Sequence, residues 1–564
     1  MKNIVILGAG KIGRGFVAEV FAGGGYKPIF VDSDEALVKA LKAQGRYTLY
    51  KISTPTQQEK IIFSEYEVLS AADPSLSRVI ADAGLMAVAV YPGAFGDVAQ
   101  IVKNALETKF EANDRAPLDI VLLANVVDAQ KRLLEQINAA LSEPLRAFAR
   151  DVMSVCGTIV IRVAVSPTPA MLEEDPLTVL TDGYGLLPVE NKFIGERPDC
   201  PMLEYHDALE ALETRKMYTY NMAHAATAYL GAAKGYETIA ESIGDPEIEQ
   251  IVRGALEEIT LAYTREGTLD EAEAKPLVDG VIKKYRNTLL KDPVARVGGN
   301  PIRKLGYSDR LVGAALLARK NGICPYYLLK ATAYGFLFAQ AGDEAAAEIR
   351  LHVMTNGIDS AIRAYTGLWE PDVIYAIKRH YLKADGKFVA EDAARVAFLK
   401  RAYALGFESE KQYRGCAQGT LLALKELTGI WNKDLFRAAT GFSGGMALCG
   451  DGVCGGYSGG VMFMGLINGR DYDRMLVDGD KPNQYVAYEA AQRLRDHFEA
   501  CFASPICMRI HETMFRGEHY ILRTKARRDE FEAAGAHTVV CTTVVALACT
   551  WVAEIILDMG LYSI

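Results

Sequence analysis

Near its start a run of apolar side chains meets glycine: Asn3-Ile-Val-Ile-Leu7 leads straight into Gly8-Ala-Gly10-Lys-Ile-Gly13-Arg-Gly15. A short β-type run, three glycines spaced G-x-G-x-x-G and a helical pattern from Ile12 to Phe21 leave few folds open. The first glycine permits a tight turn, the second lets backbone approach a pyrophosphate, and the third lets helix and sheet pack closely. The positive end of the helix then favours phosphate charge. Asp32 stands nineteen residues after Gly13, at the end of a second apolar run, Pro28 to Val31. A carboxylate there accepts from a ribose 2′-hydroxyl and repels a 2′-phosphate, so the expected cofactor is NAD rather than NADP. Gly8, Gly10, Lys11, Ile12, Gly13 and Asp32 form the candidate cofactor-binding set.

Further apolar runs at Leu85 to Val90 and Leu118 to Leu123 alternate with polar, helix-forming stretches, as in a parallel sheet with crossover helices. Val152 to Val165, apolar and β-branched, is expected to close the sheet region. From about Leu203 the periodicity changes to that of helices, over Leu203–Leu230, Pro246–Glu266, Ala274–Leu290, Asp309–Asn321 and Pro325–Ala341. Charged text from Lys383 to Glu391 reads as a linker to another mainly helical segment. The expected architecture is an α/β Rossmann domain (1–195), an all-α substrate domain (196–383) and an all-α cysteine-rich C-terminal domain (392–564).

At 564 residues the chain is too long for a single core. Its net charge of −9 disfavours a nucleic-acid partner. No basic block points to an anionic membrane, and the first residues read as a strand rather than a secretory leader, so a cytoplasmic location is expected. The most apolar stretch, Thr538 to Leu557, carries Glu554 and several Thr and Cys, which favours a buried helix over a membrane span.

Within the helical region, Lys216, Asn221 and His224 follow one another in Glu213-Thr-Arg-Lys-Met-Tyr-Thr-Tyr-Asn-Met-Ala-His. Asn221 and His224 are i, i+3 neighbours on a helix, and the lysine stem is long enough to approach the same point over a helical rise of about 7.5 Å. Lysine can take a proton from an alcohol once burial or a nearby cation brings its pKa down by about three. Asparagine and histidine can hydrogen-bond the resulting oxygen. Glu213, one turn earlier, could relay the proton to solvent. On composition alone a solvated Lys, a core-edge Asn and a satisfied His are the favoured reading.

The stretch Lys-x4-Asn-x2-His, followed by Ala-Tyr-Leu-Gly231, resembles the signature of the polyol-specific long-chain dehydrogenases, closest in form to the mannitol-1-phosphate 5-dehydrogenases. The opening glycine motif and Leu290-Lys-Asp-Pro-Val-Ala-Arg296-Val-Gly-Gly-Asn-Pro-Ile-Arg303-Lys304-Leu are similar to the same family, and the likeness spans roughly residues 1–380. It implies NAD-linked interconversion of a polyol, or polyol phosphate, and the matching ketose. Lys216 would be the base and Asn221 and His224 the polarising pair, with Asn125 as a second asparagine at the oxygen. Arg296 and Lys304 would bind substrate hydroxyls, and no metal is expected. Arg303 is a further candidate, for a substrate phosphate, because guanidinium suits it bidentately. Two departures bear on the substrate: Ala124 stands where the family has Glu, and Cys156-Gly157-Thr158-Ile159 replaces Val-Asp-Arg-Ile. A hexuronate or unphosphorylated sugar alcohol therefore stays open as substrate, as does a non-catalytic NAD-responsive thiol protein. The oligomeric state is not legible.

Seven of ten cysteines lie after residue 400. With no export signal, they read as free, metal-binding or redox thiols rather than a disulfide framework. Gly415-Cys416-Ala-Gln-Gly419, Cys449-Gly-Asp-Gly-Val-Cys454 and Phe502-Ala-Ser-Pro-Ile-Cys507 resemble a candidate redox-active family named for its C…GCAxxG…C…C pattern. The redox candidates are Cys416, Cys454, Cys507 and Cys449, the last additional to the pattern. The glycine-rich stretch Gly441 to Gly460 reads as a loop that either carries exposed thiols or allows close helix packing.

Overall fold

The computed structural model describes residues 2–54, 57–124 and 129–564. The chain divides into two compact units, Met1–Lys216 with Arg286–Asp292, and Met217–Tyr285 with Pro293–Ile564.

The first unit has twelve strands among its described residues: β1 Lys2–Leu7, β2 Tyr26–Asp32, β3 Tyr47–Thr54, β4 Gln57–Phe63, β5 Glu67–Ser70, β6 Leu85–Val88, β7 Leu118–Leu122, β8 Met153–Gly157, β9 Ala164–Val165, β10 Val179–Thr181, β11 Leu187–Glu190 and β12 Leu203–His206. Six form a parallel sheet in the order β5-β2-β1-β6-β7-β8. Strand order reverses between β1 and β6, where ligands of doubly wound sheets bind. Ile4, Val5 and Ile6 of β1 have no exposed surface, because helices cover both faces of the sheet. The expected run Val152–Val165 is split: Met153–Gly157 closes the parallel sheet at its edge, while Ala164–Val165 joins a second sheet, β4-β3-β10-β9.

That second sheet lies outside the expected pattern. Its β3/β4 hairpin pairs Tyr47 with Phe63 and Tyr50 with Lys60, and β4 begins with four exposed polar residues, Gln57 to Lys60. A strand whose polar residues come in one run gives no periodic signal. The helix expected from Leu203 is also corrected. Leu203–His206 pairs in parallel with Leu187–Glu190, and the helix starts only at Glu210.

The second unit is helical. Helices Met222–Lys234, Pro246–Arg265 and Tyr326–Leu337 meet in one core around Tyr229, Leu256 and Tyr334. Asp245 starts the longest of these, its carboxylate accepting from the Glu247 and Ile248 amides at 2.9 and 3.2 Å ahead of Pro246. A second core holds the cysteine-rich segment, where helices Ala393–Tyr413 and Cys541–Asp558 pack on each other and on Cys416–Thr428 and Gly455–Asn468.

The expected linker is a clamped strap. Val389 N–H donates to Tyr334 Oη at 2.8 Å, Lys330 Nζ donates to Val389 O at 2.8 Å, and Glu391 takes an ion pair from Lys330 at 3.0 Å. Beyond it, Lys400 Nζ meets the wholly buried Glu258 at 2.7 Å, and Arg379 meets Glu554 at 2.8 Å. The two helical segments therefore share one unit. Ala536–Asp558 is long and apolar enough to cross a membrane, yet 67% of its most apolar window is buried inside the protein.

Candidate active site

The glycine loop has the geometry its spacing implies. Gly8 follows β1 with φ +99°, and a Cβ there would lie 2.7 Å from Ala89 O, just past β6. A Cβ on Gly13 would stand 1.9 Å from Gly8 O, so that position brings the helix onto the turn. At Gly10 a Cβ would meet nothing within 4 Å. The loop is therefore closed by protein at Gly8 and Gly13 and open at Gly10, where a pyrophosphate would approach. Asp32, at the end of β2, accepts from Ala9 N–H at 2.8 Å and from Asp34 N–H at 3.0 Å, which holds its carboxylate beside the loop. Lys11 reaches Ser166 Oγ at 3.0 Å, and Ile12 packs on the sheet core.

One contributor is not apparent from spacing. Arg14, buried, donates through Nε to Ala9 O at 2.6 Å and through Nη1 to Leu177 O at 2.5 Å, and lies over the Tyr47 ring. It braces the loop from below. Burial lowers the guanidinium pKa, and only the carbonyl contacts of this fold mark it as different from a surface arginine. The donor set fits a dinucleotide: a turn open at one glycine, a helix start beyond it and a fixed carboxylate at the neighbouring strand end.

Lys216 ends helix Glu210–Lys216, and its Nζ donates to Val160 O at 2.7 Å, also in the first unit. Met217–Asn221 is a π-helical turn, and Met222–Lys234 continues as α-helix with Asn221 at its start. The α-helical rise assumed between Lys216 and Asn221 therefore does not apply. In the second unit His224 stacks on Tyr285, with centroids 4.7 Å apart and planes 8° from parallel. Tyr285 Oη donates to Tyr220 O at 2.6 Å. The stack fixes the imidazole plane one turn beyond Asn221. Asn125 lies outside the described residues.

Arg296 and Arg303 are exposed on two short helices, Val294–Gly298 and Pro301–Lys304. Lys304 is buried; its Nζ donates to Val297 O at 2.7 Å and to Gly299 O. Burial, with Arg310 and Arg303 nearby, brings its pKa down to about 8. At the departures from the family pattern, Gly157 N–H donates to Glu190 Oε2 at 3.1 Å and Thr158 Oγ1 donates to Leu122 O at 2.8 Å. Each contact pairs one side chain with one backbone group.

In the cysteine-rich segment the expected loop is half helix. Gly455 to Gly460 open helix Gly455–Asn468, and Gly444 to Leu448 form a left-handed turn with five successive positive φ values. Met446, Ala447 and Leu448 cost about 1 kcal/mol or more each in that conformation. The turn is held by Leu448 N–H to Ser443 O at 3.1 Å and Gly450 N–H to Gly444 O at 3.0 Å. A bridge between Val453 and Ile506 brings Cys454 beside Cys507. Cys416, Cys454 and Cys507 line one cavity of about 500 Å³, joined by Cys541, which motif spacing did not single out. Cys449 is not among the lining residues; its sulfur faces Ala447 O at 3.7 Å. All ten cysteines are free thiols. No group of three or more His, Cys, Asp or Glu among the described residues is arranged to hold a metal ion.

Comparison with known proteins matches three stretches of the chain. Residues 2–202 match the mannitol dehydrogenase Rossmann domain and residues 208–381 the mannitol dehydrogenase C-terminal domain. Residues 415–555 match the C_GCAxxG_C_C model, described as that of a candidate redox-active protein. A mannitol-1-phosphate 5-dehydrogenase of Bacillus licheniformis is 31% identical over 380 residues, 67% of this chain and 98% of the relative. Its namesake in Bacillus pumilus is 30% identical over 370 residues, 65% and 96% of the two chains. Among solved structures, the mannitol 2-dehydrogenase of Pseudomonas fluorescens, a ternary complex with NAD and D-mannitol, superposes with a TM-score of 0.54 at 16% identity, covering 68% of this chain and 92% of that one. A D-sorbitol dehydrogenase gives 0.58 at 14% identity, covering 68% and 93%. At those identities the likeness is one of fold. With the glycine loop, Lys-x4-Asn-x2-His and the Arg296–Lys304 segment in the family's order, the chain belongs to the mannitol dehydrogenase family.

Proposed function

We propose that this chain is an NAD-linked dehydrogenase interconverting a hexitol phosphate and a hexulose phosphate, joined to a module with thiol redox chemistry. The observation that carries the reading is the match to relatives named mannitol-1-phosphate 5-dehydrogenase over nearly their whole length. Residues 1–195 would serve the cofactor, 196–383 the substrate, and 392–564 the thiols at Cys416, Cys454, Cys507 and Cys449. A cytoplasmic place suits such an activity.

NAD, when bound, supplies the hydride acceptor. Asp32 selects it by its 2′-hydroxyl, and the open side of Gly10 admits its pyrophosphate. Lys216 takes the substrate hydroxyl proton in oxidation and returns it in reduction. Asn221 and His224, with Asn125, hydrogen-bond the oxygen on which charge develops. Arg296 and Lys304 hold substrate hydroxyls, and Arg303 the phosphate. The test is an NADH-oxidation screen over hexulose phosphates, free hexuloses and ketouronates. Turnover restricted to hexulose phosphates supports the reading. Turnover restricted to ketouronates or free ketoses supports the second reading, a hexuronate or sugar-alcohol dehydrogenase, which Gly157 and Thr158 favour where the family has Asp and Arg.

A further inference from the structure

Three of the four chamber cysteines stand at helix starts. Cys416 opens helix Cys416–Thr428, Cys454 caps helix Gly455–Asn468, and Cys507 opens helix Cys507–Met514. Three helix starts thus meet at one cavity of about 500 Å³, where burial pushes the Cys507 and Cys541 thiols up and keeps them protonated. The walls are otherwise mostly apolar, with Ile510, Leu522, Phe531 and Val544 among them, and the exposed Lys525, Arg528 and Asp529 mark where the cavity opens. The volume is that of a small-molecule site, well beyond that of a single ion.

Glu410 is the chamber's one deeply buried carboxyl, 2% exposed, and its Oε2 has no hydrogen-bond partner. That oxygen is shielded by the helix beside it, since a Cβ on Gly419 would stand 3.1 Å away. Its Oε1 lies 3.5 Å from His537 Nε2, and His537 Nδ1 lies 2.7 Å from Glu532 Oε1. Glu532 is partly exposed and pairs with Arg414 at 2.9 Å. The three groups form a chain from the buried carboxyl to the surface.

Cys416 and Cys454 both line the chamber. The Cys416 sulfur also rests against the backbone that follows Cys454, since a Cβ on Gly455 would come within 2.2 Å of it. Cys507 turns instead to His511, with Sγ 3.6 Å from Nε2.

The geometry points to Cys416 and Cys454 as a dithiol that exchanges with a small organic disulfide admitted to this chamber, with Glu410, His537 and Glu532 carrying the proton between thiol and solvent. This rests on the thiol redox reading of the C-terminal module and adds to it the pair, the proton path and the co-substrate class. The Cys416 sulfur attacks one sulfur of R–S–S–R: its S–S bond to that sulfur forms and the R–S–S–R bond breaks. The Cys416 proton passes to Glu410, and the departing sulfur leaves as RSH after taking one proton from the same chain. Cys454 then attacks the Cys416 sulfur, closing Cys416–Cys454 and releasing the second RSH with its own proton. The protein dithiol loses two electrons and the external disulfide gains two.

The experiment uses the fully reduced full-length protein and bis(2-hydroxyethyl) disulfide, with acid quench, alkylation and peptide mass mapping. The expected result is loss of two free thiols, a Cys416–Cys454 disulfide and two equivalents of 2-mercaptoethanol. Cys454→Ser should stop at a mixed disulfide on Cys416. Glu410→Gln, and independently His537→Gln should the first fail to fold, should slow closure at least tenfold with an unchanged product. A disulfide that instead joins Cys507 or Cys541 overturns the pair while leaving thiol redox chemistry standing. No reaction of any chamber cysteine, with all ten thiols reactive after denaturation, overturns both. A stoichiometric metal released on acidification would also overturn the exchange, because the thiols would then be ligands.

Discussion

Single residues carry most of the functional argument, and two of them make opposite predictions. Gly10 faces open space while Gly13 faces the Gly8 carbonyl at 1.9 Å from a would-be Cβ. Gly10→Ala should leave the thermal midpoint within a degree or two and weaken NADH binding at least tenfold. Gly13→Ala should lower the midpoint by several degrees as well as abolishing binding. Fluorescence titration and calorimetry on both variants separate the two. Lys304 offers a pH test. Burial, Arg310 and Arg303 hold its pKa near 8, below the unfolded lysine value, so the folded protein loses this cation first as pH rises. If the cation holds substrate, kcat/KM should fall about tenfold per pH unit above 8, and Lys304→Arg should flatten the profile up to pH 10. The glycine turn and the place of Asp32 beside it are legible because one local turn fixes both. Arg14 is not, because its partners, Ala9 O and Leu177 O, are brought together only by the fold.

At the level of elements, π-helical turns recur at the places that matter. Among the described residues they are Gly13–Val17 after the glycine loop, Met217–Asn221 between Lys216 and His224, and Ala536–Val540 at the cysteine chamber. A π turn inserts an extra residue and re-aims the side chains that follow, which is why such turns gather at functional sites. Apolar periodicity does not reveal them, so helix existence was readable in the sequence while the phase across Lys216 to Asn221 was not. The hairpin of β3 and β4 is hidden for a related reason: its outer strand runs four polar then three apolar residues, with no alternation. The strap read as a linker was misjudged because Glu391, polar in the sequence, is matched by buried Lys330 and Tyr326. The neighbouring Lys400–Glu258 pair tests how firmly the cysteine-rich segment is attached. Lys400→Ala leaves the Glu258 carboxylate buried without its cation and should cost about 3 kcal/mol in urea unfolding. The double variant Lys400→Met with Glu258→Leu should recover most of that loss.

For the molecule as a whole, the fold class was readable from the order of patterns, sheet first and helices after. The docking of the cysteine-rich segment was not, because it depends on pairs far apart in the chain. Three histidines of the helical unit are held neutral by burial, His380 at about 3 and His497 and His511 at about 4. Each has a folded pKa below the unfolded value of about 6.5, so unfolding takes up protons as pH falls. Stability supplied by these groups is complete above pH 6.5 and is lost as pH falls to about 4 for His497 and His511 and to about 3 for His380, by up to about 1.4 kcal/mol per pH unit for each histidine. Denaturation midpoints of the whole chain at pH 7.5, 6.5, 5.5 and 4.5 should fall steadily across the last three points. A flat profile would remove the buried histidines from the account.

Under the proposed function, Lys216 moves the substrate proton in an NAD-linked dehydrogenase. The most direct test is single-turnover oxidation of NADH by a hexulose phosphate, comparing wild type with Lys216→Ala and checking NADH affinity by fluorescence in both. The account predicts a loss of at least a thousandfold in the hydride-transfer rate, with NADH affinity within threefold of wild type. An unchanged rate in Lys216→Ala would contradict it.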